Sequence, residues 1–222
     1  NVVFTIPQYL YAFYNAYSQQ TLYQSVFLTT FNICWTSLPI LLYGIFEQHL
    51  LPDTLKAQPV IYRDVSNNKR LSWQDFSFWM LSAVWHGLVV YFGSLLFFDE
   101  GILGTKAFGN WSFGQFVYTV VVIVCNLKLA LFSFYWTFLS HIVIWGSIIA
   151  YILFAVIASC DLWETFQFGQ ASHDLYWTFL QLLDEPSVWF GFILLSAVAL
   201  LPDMALMTIA RYCYRTKTQL AQ

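Results

Sequence analysis

The chain has 222 residues, of which 59% are hydrophobic, 21% aromatic and 9% charged, with a formal net charge of -3. Soluble domains carry about 25% charged residues, so a water-exposed globular domain is excluded and the apolar excess must face lipid. The acidic balance offers no basic surface, so no nucleic-acid partner is expected.

Residues 1–46 contain no charge; the first is Glu47. As one helix that run would measure roughly 69 Å, over twice the hydrocarbon thickness, so it must fold back. The polar cluster Ser18-Gln19-Gln20-Thr21 marks the turn and predicts spans at about 2–17 and 22–46. Later apolar runs predict spans at about 74–98, 113–132, 136–160 and 187–210. The expected fold class is therefore all-α, a polytopic transmembrane helix bundle of six spans. The first span is about one turn short of the roughly 20 residues needed to cross. With no initiator Met, that shortfall suggests a fragment whose missing turn lies upstream of Asn1.

Basic residues set the expected orientation. Lys56, Arg63, Lys69 and Arg70 of loop 47–73, Arg211, Arg215 and Lys217 of tail 211–222, and Lys128 all fall on one side. The other side has Lys106 alone, among Asp99, Glu100, Asp161, Glu164, Asp174, Asp184 and Glu185. Both termini and loop 47–73 are thus expected in the cytosol, with loops 99–112 and 161–186 facing outward. The outward triplet Asn110-Trp111-Ser112 reads as a glycosylation sequon, but it lies too near the following span for attachment to be expected.

Polar groups inside hydrocarbon are the informative ones. In the second span Asn32 and Thr36 are four residues apart and share a helix face, with Ser37 beside them. Pro39 cannot donate to the backbone ladder, which predicts a helix break and leaves the Trp35 carbonyl without its usual partner. Broken helices at that depth are where transporters place substrate sites. The same residues also serve as interhelical hydrogen-bond glue, and the residues alone favour glue over a ligand site. In the first span Pro7 predicts a kink, and Gln8 needs a partner. His86 and His141 have no second ligand at metal spacing and read as core histidines. Lys128 and Asp203 both fall near cytosolic span ends; Lys128 can snorkel to the interface, and whether it meets Asp203 is left open by the sequence. Asp203 would cost about 2.5–3.5 kcal/mol at the bilayer centre, so a partnered or interfacial position is expected. Cys34, Cys125, Cys160 and Cys213 show no metal or redox spacing, and no disulfide framework is expected. No phosphate cradle, nucleophile elbow or metal motif is present, so no catalytic residue, bound cofactor or metal is assigned to this chain.

Several stretches together resemble one family. They are Tyr17-Ser18-Gln19-Gln20, Phe31-Asn32-Ile33-Cys34-Trp35-Thr36-Ser37-Leu38-Pro39, Glu47-Gln48, Asp53-Thr54-Leu55 and Gly109-Asn110-Trp111-Ser112-Phe113-Gly114. Leu127-Lys128-Leu129-Ala130-Leu131, His141-Ile142-Val143-Ile144-Trp145-Gly146-Ser147 and Leu201-Pro202-Asp203 continue the pattern to the end. The whole chain resembles the C-terminal membrane region of phospholipid flippases, the lipid-transporting branch of the P-type ATPases, and most closely the animal aminophospholipid-moving subgroup.

The resemblance implies that the six spans are helices five to ten of a ten-helix transport domain. It implies a parent that moves phosphatidylserine and phosphatidylethanolamine from the outer to the cytosolic leaflet, using ATP and Mg²⁺ bound in domains absent from this chain. The Asp-Lys-Thr-Gly phosphorylation motif and the fourth helix with its Pro-Ile-Ser-Leu-type break are likewise absent. It matches the family's headgroup-contacting asparagine to Asn32, which raises the ligand reading above glue, with Thr36 and Ser37 as neighbours. The family's helix-five lysine would fall just before Asn1, and Asn1 matches the polar residue beside it. Expected partners are the phospholipid, the N-terminal part of the same ATPase and an accessory two-span glycoprotein subunit docking on the outward loops. Expected locations are the plasma membrane or endosomal and Golgi membranes. Two rivals remain at this point: an ATP-independent transporter or channel, and a non-transporting helical scaffold.

Overall fold

In the computed structural model, residues 1–48, 56, 72–98, 109–160 and 175–213 are described. The expected loops 47–73, 99–112 and 161–186 and the tail 211–222 fall largely outside those residues. Every regular element among the described residues is helical. In chain order these are α1 (Val2–Tyr14), α2 (Ser25–Thr30), a π-helical turn (Phe31–Trp35), α3 (Ser37–Phe46), α4 (Trp73–Phe98), α5 (Asn110–Phe132), α6 (Phe138–Ser159), α7 (Thr178–Leu183) and α8 (Pro186–Cys213).

Five stretches are long and apolar enough to cross a membrane: Ser25–Phe46, Trp73–Phe98, Asn110–Phe132, Phe138–Ser159 and Pro186–Ala210. They match five of the six predicted spans to within a few residues. The sixth, expected at 2–17, is α1, whose 13 residues rise roughly 20 Å, less than the hydrocarbon core. The helix stops at Asn15 because the chain turns there: Ala16, Tyr17 and Gln19 all take left-handed backbone conformations at φ 49°, 59° and 66°. The backbone N–H of Asn15 closes on the Tyr11 carbonyl, and that of Tyr17 on the Ala12 carbonyl. Pro7 is buried inside α1, and Gln8 finds its partner by accepting from the Leu22 backbone N–H at 3.2 Å.

The helices assemble around α5. It packs against α1, α3, α4, α6, α7 and α8 and is continuously buried from Ser112 to Val122. α1 and α8 both lie on α4, and α3 lies on α6. Outward surfaces are apolar, as lipid-facing surfaces must be: Phe138 is 83% exposed, Ile33 73% and Ile193 71%. Without a hydrophobic driving force between helices in lipid, close packing and hydrogen bonds hold the bundle. An aromatic cluster of Phe4, Tyr23, Phe27, Phe31, Tyr118 and Tyr151 fills the space between α1, α2, α5 and α6, with the Phe4 and Phe31 rings stacked at 4.2 Å. Such pairs contribute about 0.5–1.5 kcal/mol each beyond area burial.

At the end of α5 that meets the α1–α2 turn, Gly114 allows a close approach. A Cβ there would lie 2.0 Å from the Leu22 carbonyl oxygen, a backbone atom that cannot rotate away. Nearby, the Tyr11 hydroxyl donates to Asn110 Oδ1 at 2.5 Å, and Asn110 Nδ2 is buried. In the folded chain, the nitrogen that a glycan would occupy is therefore enclosed.

Gly114→Ala in the full-length protein is expected to lower stability by about 1–3 kcal/mol through overpacking. Gly146→Ala, where an added Cβ meets nothing within 4 Å, should instead raise stability by up to about 1 kcal/mol. Thermal unfolding in detergent reads both; equal shifts would mean that the Leu22 contact does not limit the packing.

Candidate functional site

The second span is interrupted where the polar residues cluster. α2 ends at Thr30, five residues widen into the π turn, and α3 begins at Ser37. The interruption starts eight residues ahead of Pro39, which sits in the first turn of α3, where its missing N–H costs little. The expectation of a break is met, with its centre at Phe31–Trp35 rather than at the proline itself.

A widened turn in hydrocarbon needs substitutes for its lost backbone bonds. Thr36 Oγ1 donates to the Phe31 carbonyl at 3.1 Å, and Ser37 Oγ donates to the Ile33 carbonyl at 2.6 Å. The Trp35 carbonyl, expected to lack a partner, accepts from Asn126 Nδ2 of α5 at 3.4 Å. That asparagine also donates to the Val122 carbonyl of its own helix at 2.9 Å, which fixes the amide's orientation. One turn before the break, the Tyr118 hydroxyl donates to the Phe27 carbonyl at 2.8 Å. Within the break, Trp35 Nε1 donates to Thr30 Oγ1 at 3.2 Å.

Against this background Asn32 is distinct. Its side chain is exposed on the open face of the break, beside exposed Ile33 and Cys34. No described hydrogen bond engages its amide, so glue among the described residues does not account for it. Ser37 is also exposed, and Thr36 is half-buried; both hydroxyls are committed to carbonyls of the break. Asn1 lies at the start of α1, where its carbonyl accepts from the Thr5 backbone and hydroxyl. The described hydrogen bonds do not join Asn1 to the Asn32 face.

A second polar centre lies deeper. Asp203 of α8 is 3% exposed, with Oδ2 at 2.9 Å from His86 Nε2 of α4 and 3.1 Å from Lys128 Nζ of α5. Ser82 closes a ring: it donates to Asp203 Oδ1 at 3.0 Å and accepts from Lys128 Nζ at 2.6 Å. Lys128 Nζ also lies 5.0 Å from the centre of the Trp79 ring, in reach of a cation–π attraction. Asp203 is thus partnered, as its cost in hydrocarbon requires. His86 is a core histidine, again as expected. Whether Lys128 meets Asp203 was open from the sequence; the side chain turns inward to that opposite charge. His141 departs from the expected core position: it is exposed near the start of α6 and lies over the Trp136 ring at 4.4 Å.

Asn126, Tyr118 and Ser82 were not singled out in the sequence. A signal was available on α5, where Gln115, Thr119, Val122 and Asn126 fall on one helical stripe. Three polar residues on one stripe of a membrane helix require partners on the helices that face it.

Comparison with known proteins decides the family. Residues 1–216 match the family model of the phospholipid-translocating P-type ATPase C-terminal region. The chain belongs to this family. It is 41% identical to mouse phospholipid-transporting ATPase IH, with 100% of the chain covering 18% of that relative. It is 39% identical to human phospholipid-transporting ATPase IG, with 94% of the chain covering 18%. It is 33% identical to Arabidopsis thaliana phospholipid-transporting ATPase 10, over 91% of the chain and 17% of that protein. The chain thus spans less than a fifth of the length of these relatives. It is the C-terminal membrane domain of a P-type ATPase and an integral, multi-pass membrane segment. P-type ATPases use ATP and Mg²⁺; among the described residues no group of three or more His, Cys, Asp or Glu could hold a metal ion.

Two substitutions in the full-length ATPase test the two centres. Asn126→Leu removes the donor to the Trp35 carbonyl and should destabilise by about 1–3 kcal/mol, the cost of a buried unpaired carbonyl. Asp203→Asn leaves Lys128 buried without its counter-charge and should cost about 3–5 kcal/mol, much of it recovered in Lys128→Met/Asp203→Leu. Detergent melting of the single and double variants reads both. A loss below about 1 kcal/mol for Asp203→Asn would class the pair with exposed, water-screened ion pairs.

Proposed function

We propose that this chain is the C-terminal half of the transport domain of an ATP-driven flippase. The parent moves phosphatidylserine and phosphatidylethanolamine from the outer to the cytosolic leaflet. α1, the broken span and the four later spans correspond to helices five to ten of ten. ATP and Mg²⁺ act in cytosolic domains outside this chain. Both termini and loop 47–73 face the cytosol, following the distribution of Lys and Arg. An accessory two-span glycoprotein docks on the outward loops. The protein resides in the plasma membrane or in endosomal and Golgi membranes.

The observation that carries the reading is the unengaged Asn32 amide at the break, within a chain of phospholipid-translocating family. A headgroup crossing hydrocarbon needs hydrogen-bond partners along its route, while its acyl tails stay in lipid. Asn32 supplies both a donor and an acceptor without charge, so it holds the headgroup weakly enough to release it. Thr36 and Ser37 line the same stretch and keep the turn open through their own backbone bonds. Asn1, at the start of α1, completes the path with residues supplied from outside this chain.

Asn32→Ala in the full-length ATPase tests the reading. One neutral hydrogen bond contributes about 1 kcal/mol, so lipid-stimulated ATPase activity should fall roughly five-fold or headgroup preference should change. Unchanged activity and selectivity would remove Asn32 from the substrate path. A fall in melting temperature with unchanged selectivity would make Asn32 an interhelical contact to the rest of the ATPase.

A further inference from the structure

The first charge of the chain, Glu47, stands at the C-cap of α3. That is the unfavourable end for a carboxylate, because the helix macrodipole is negative there. A carboxylate held in such a place needs donors from another element. Glu47 Oε1 has two: it accepts from the Phe134 backbone N–H at 2.9 Å and from the Tyr135 backbone N–H at 3.4 Å. Both donors lie in the short turn that joins α5 to α6, and a carboxylate makes their bonds charge-assisted. Glu47 also shares a narrow crevice with Pro39 and Tyr43 of α3, Ser133 of the turn, and Ser140 and Val143 of α6. On the reading of the break as the lipid's route, we propose that Glu47 is a positioning residue for transport. It pins α3 to the α5–α6 turn, so that α3 moves with α6 while α2 moves separately.

The two halves of the broken span have separate anchors. α2 is tied to the middle of α5, where the Tyr118 hydroxyl donates to the Phe27 carbonyl at 2.8 Å. α3 packs on α6 and is tied at its far end by Glu47. Between the anchors lies the π turn, where the regular backbone ladder is interrupted and a helix bends most readily. Apolar contact alone would hold the end of α3 weakly, since helices in lipid exchange such contacts for lipid tails at little cost. The carboxylate supplies what apolar contact lacks, a directional tie to backbone atoms. It does not touch a headgroup at Asn32, because fifteen residues separate the two, roughly 22 Å along a helix. Its effect therefore falls on the rate of the conformational step, and not on lipid affinity or choice.

The test uses the full-length ATPase with its native partners in nanodiscs. Glu47→Ala should lower kcat of phosphatidylserine-stimulated ATP hydrolysis about five-fold, equivalent to about 1 kcal/mol of barrier, with KM for the lipid and headgroup preference unchanged. Glu47→Gln keeps a neutral acceptor of the same shape and should recover roughly half of the wild-type rate. Spin labels at the exposed positions Leu28 of α2, Ile45 of α3 and Ile142 of α6 read the pin without turnover. In the wild type the 45–142 distance should be the same in the nucleotide-free and beryllium-fluoride-trapped states, while the 28–142 distance changes. In Glu47→Ala the 45–142 distance should broaden and shift between states. A 45–142 distance that changes in the wild type overturns the proposal, even if neither variant folds. So does a wild-type kcat in Glu47→Ala, or a raised KM with kcat unchanged. A lower melting temperature with kcat unchanged makes Glu47 a folding staple and overturns it too. Unchanged selectivity in Asn32→Ala would remove the substrate path alone, because the 45–142 distance reports the pin whatever Asn32 contacts.

Discussion

Hydrocarbon offers no hydrogen bonds, and α5 is the helix on which that constraint acts most strongly. It lies at the centre of the bundle and carries polar side chains along its length, and six of them reach a neighbour. Asn110 meets Tyr11 of α1, Gln115 and Thr119 meet Tyr151 of α6, and Tyr118 meets the Phe27 carbonyl of α2. Asn126 meets the Trp35 carbonyl, and Lys128 meets Ser82 of α4 and Asp203 of α8. Because the alternative is an unsatisfied polar group in lipid, these contacts fix the position of every long helix around α5. Gly114 adds the complementary steric term by letting the α1–α2 turn rest against α5.

The same contacts hold the break open. A π turn is stable inside a membrane only when its stray carbonyls are served, and here Thr36, Ser37 and Asn126 serve three of them. Those bonds are supplied by Thr36, Ser37 and Asn126, and Asn32 is exposed on the open face of the break. The Lys128–Asp203 pair anchors the far side of α5 to α4 and α8. The break therefore lies on one side of α5 and the Lys128–Asp203 pair on the side that meets α4 and α8.

Much of this was legible in the sequence, because hydrocarbon thickness and the scarcity of charge leave few choices. Five spans could be placed from run length alone, and the fold-back at Ser18–Thr21 follows from the length of the uncharged stretch. The partnering of Asp203 follows from its cost. The break was legible through Pro39, yet its centre was not, since a π turn depends on which carbonyls a facing helix can serve. Asn126 and Tyr118 act across ninety residues of sequence, a pairing that no local pattern encodes. The inward turn of Lys128 was hidden for the same reason: snorkelling and pairing use the same side chain, and only the position of α8 selects between them.

The central claim is that Asn32 faces the travelling lipid and not another helix. A photoreactive amino acid placed at position 32 of the full-length ATPase, irradiated during turnover with phosphatidylserine, tests it most directly. The account predicts lipid adducts at that position that diminish when phosphatidylserine is replaced by phosphatidylcholine. Cross-links from position 32 to another protein helix, with no lipid adduct under either condition, would contradict it.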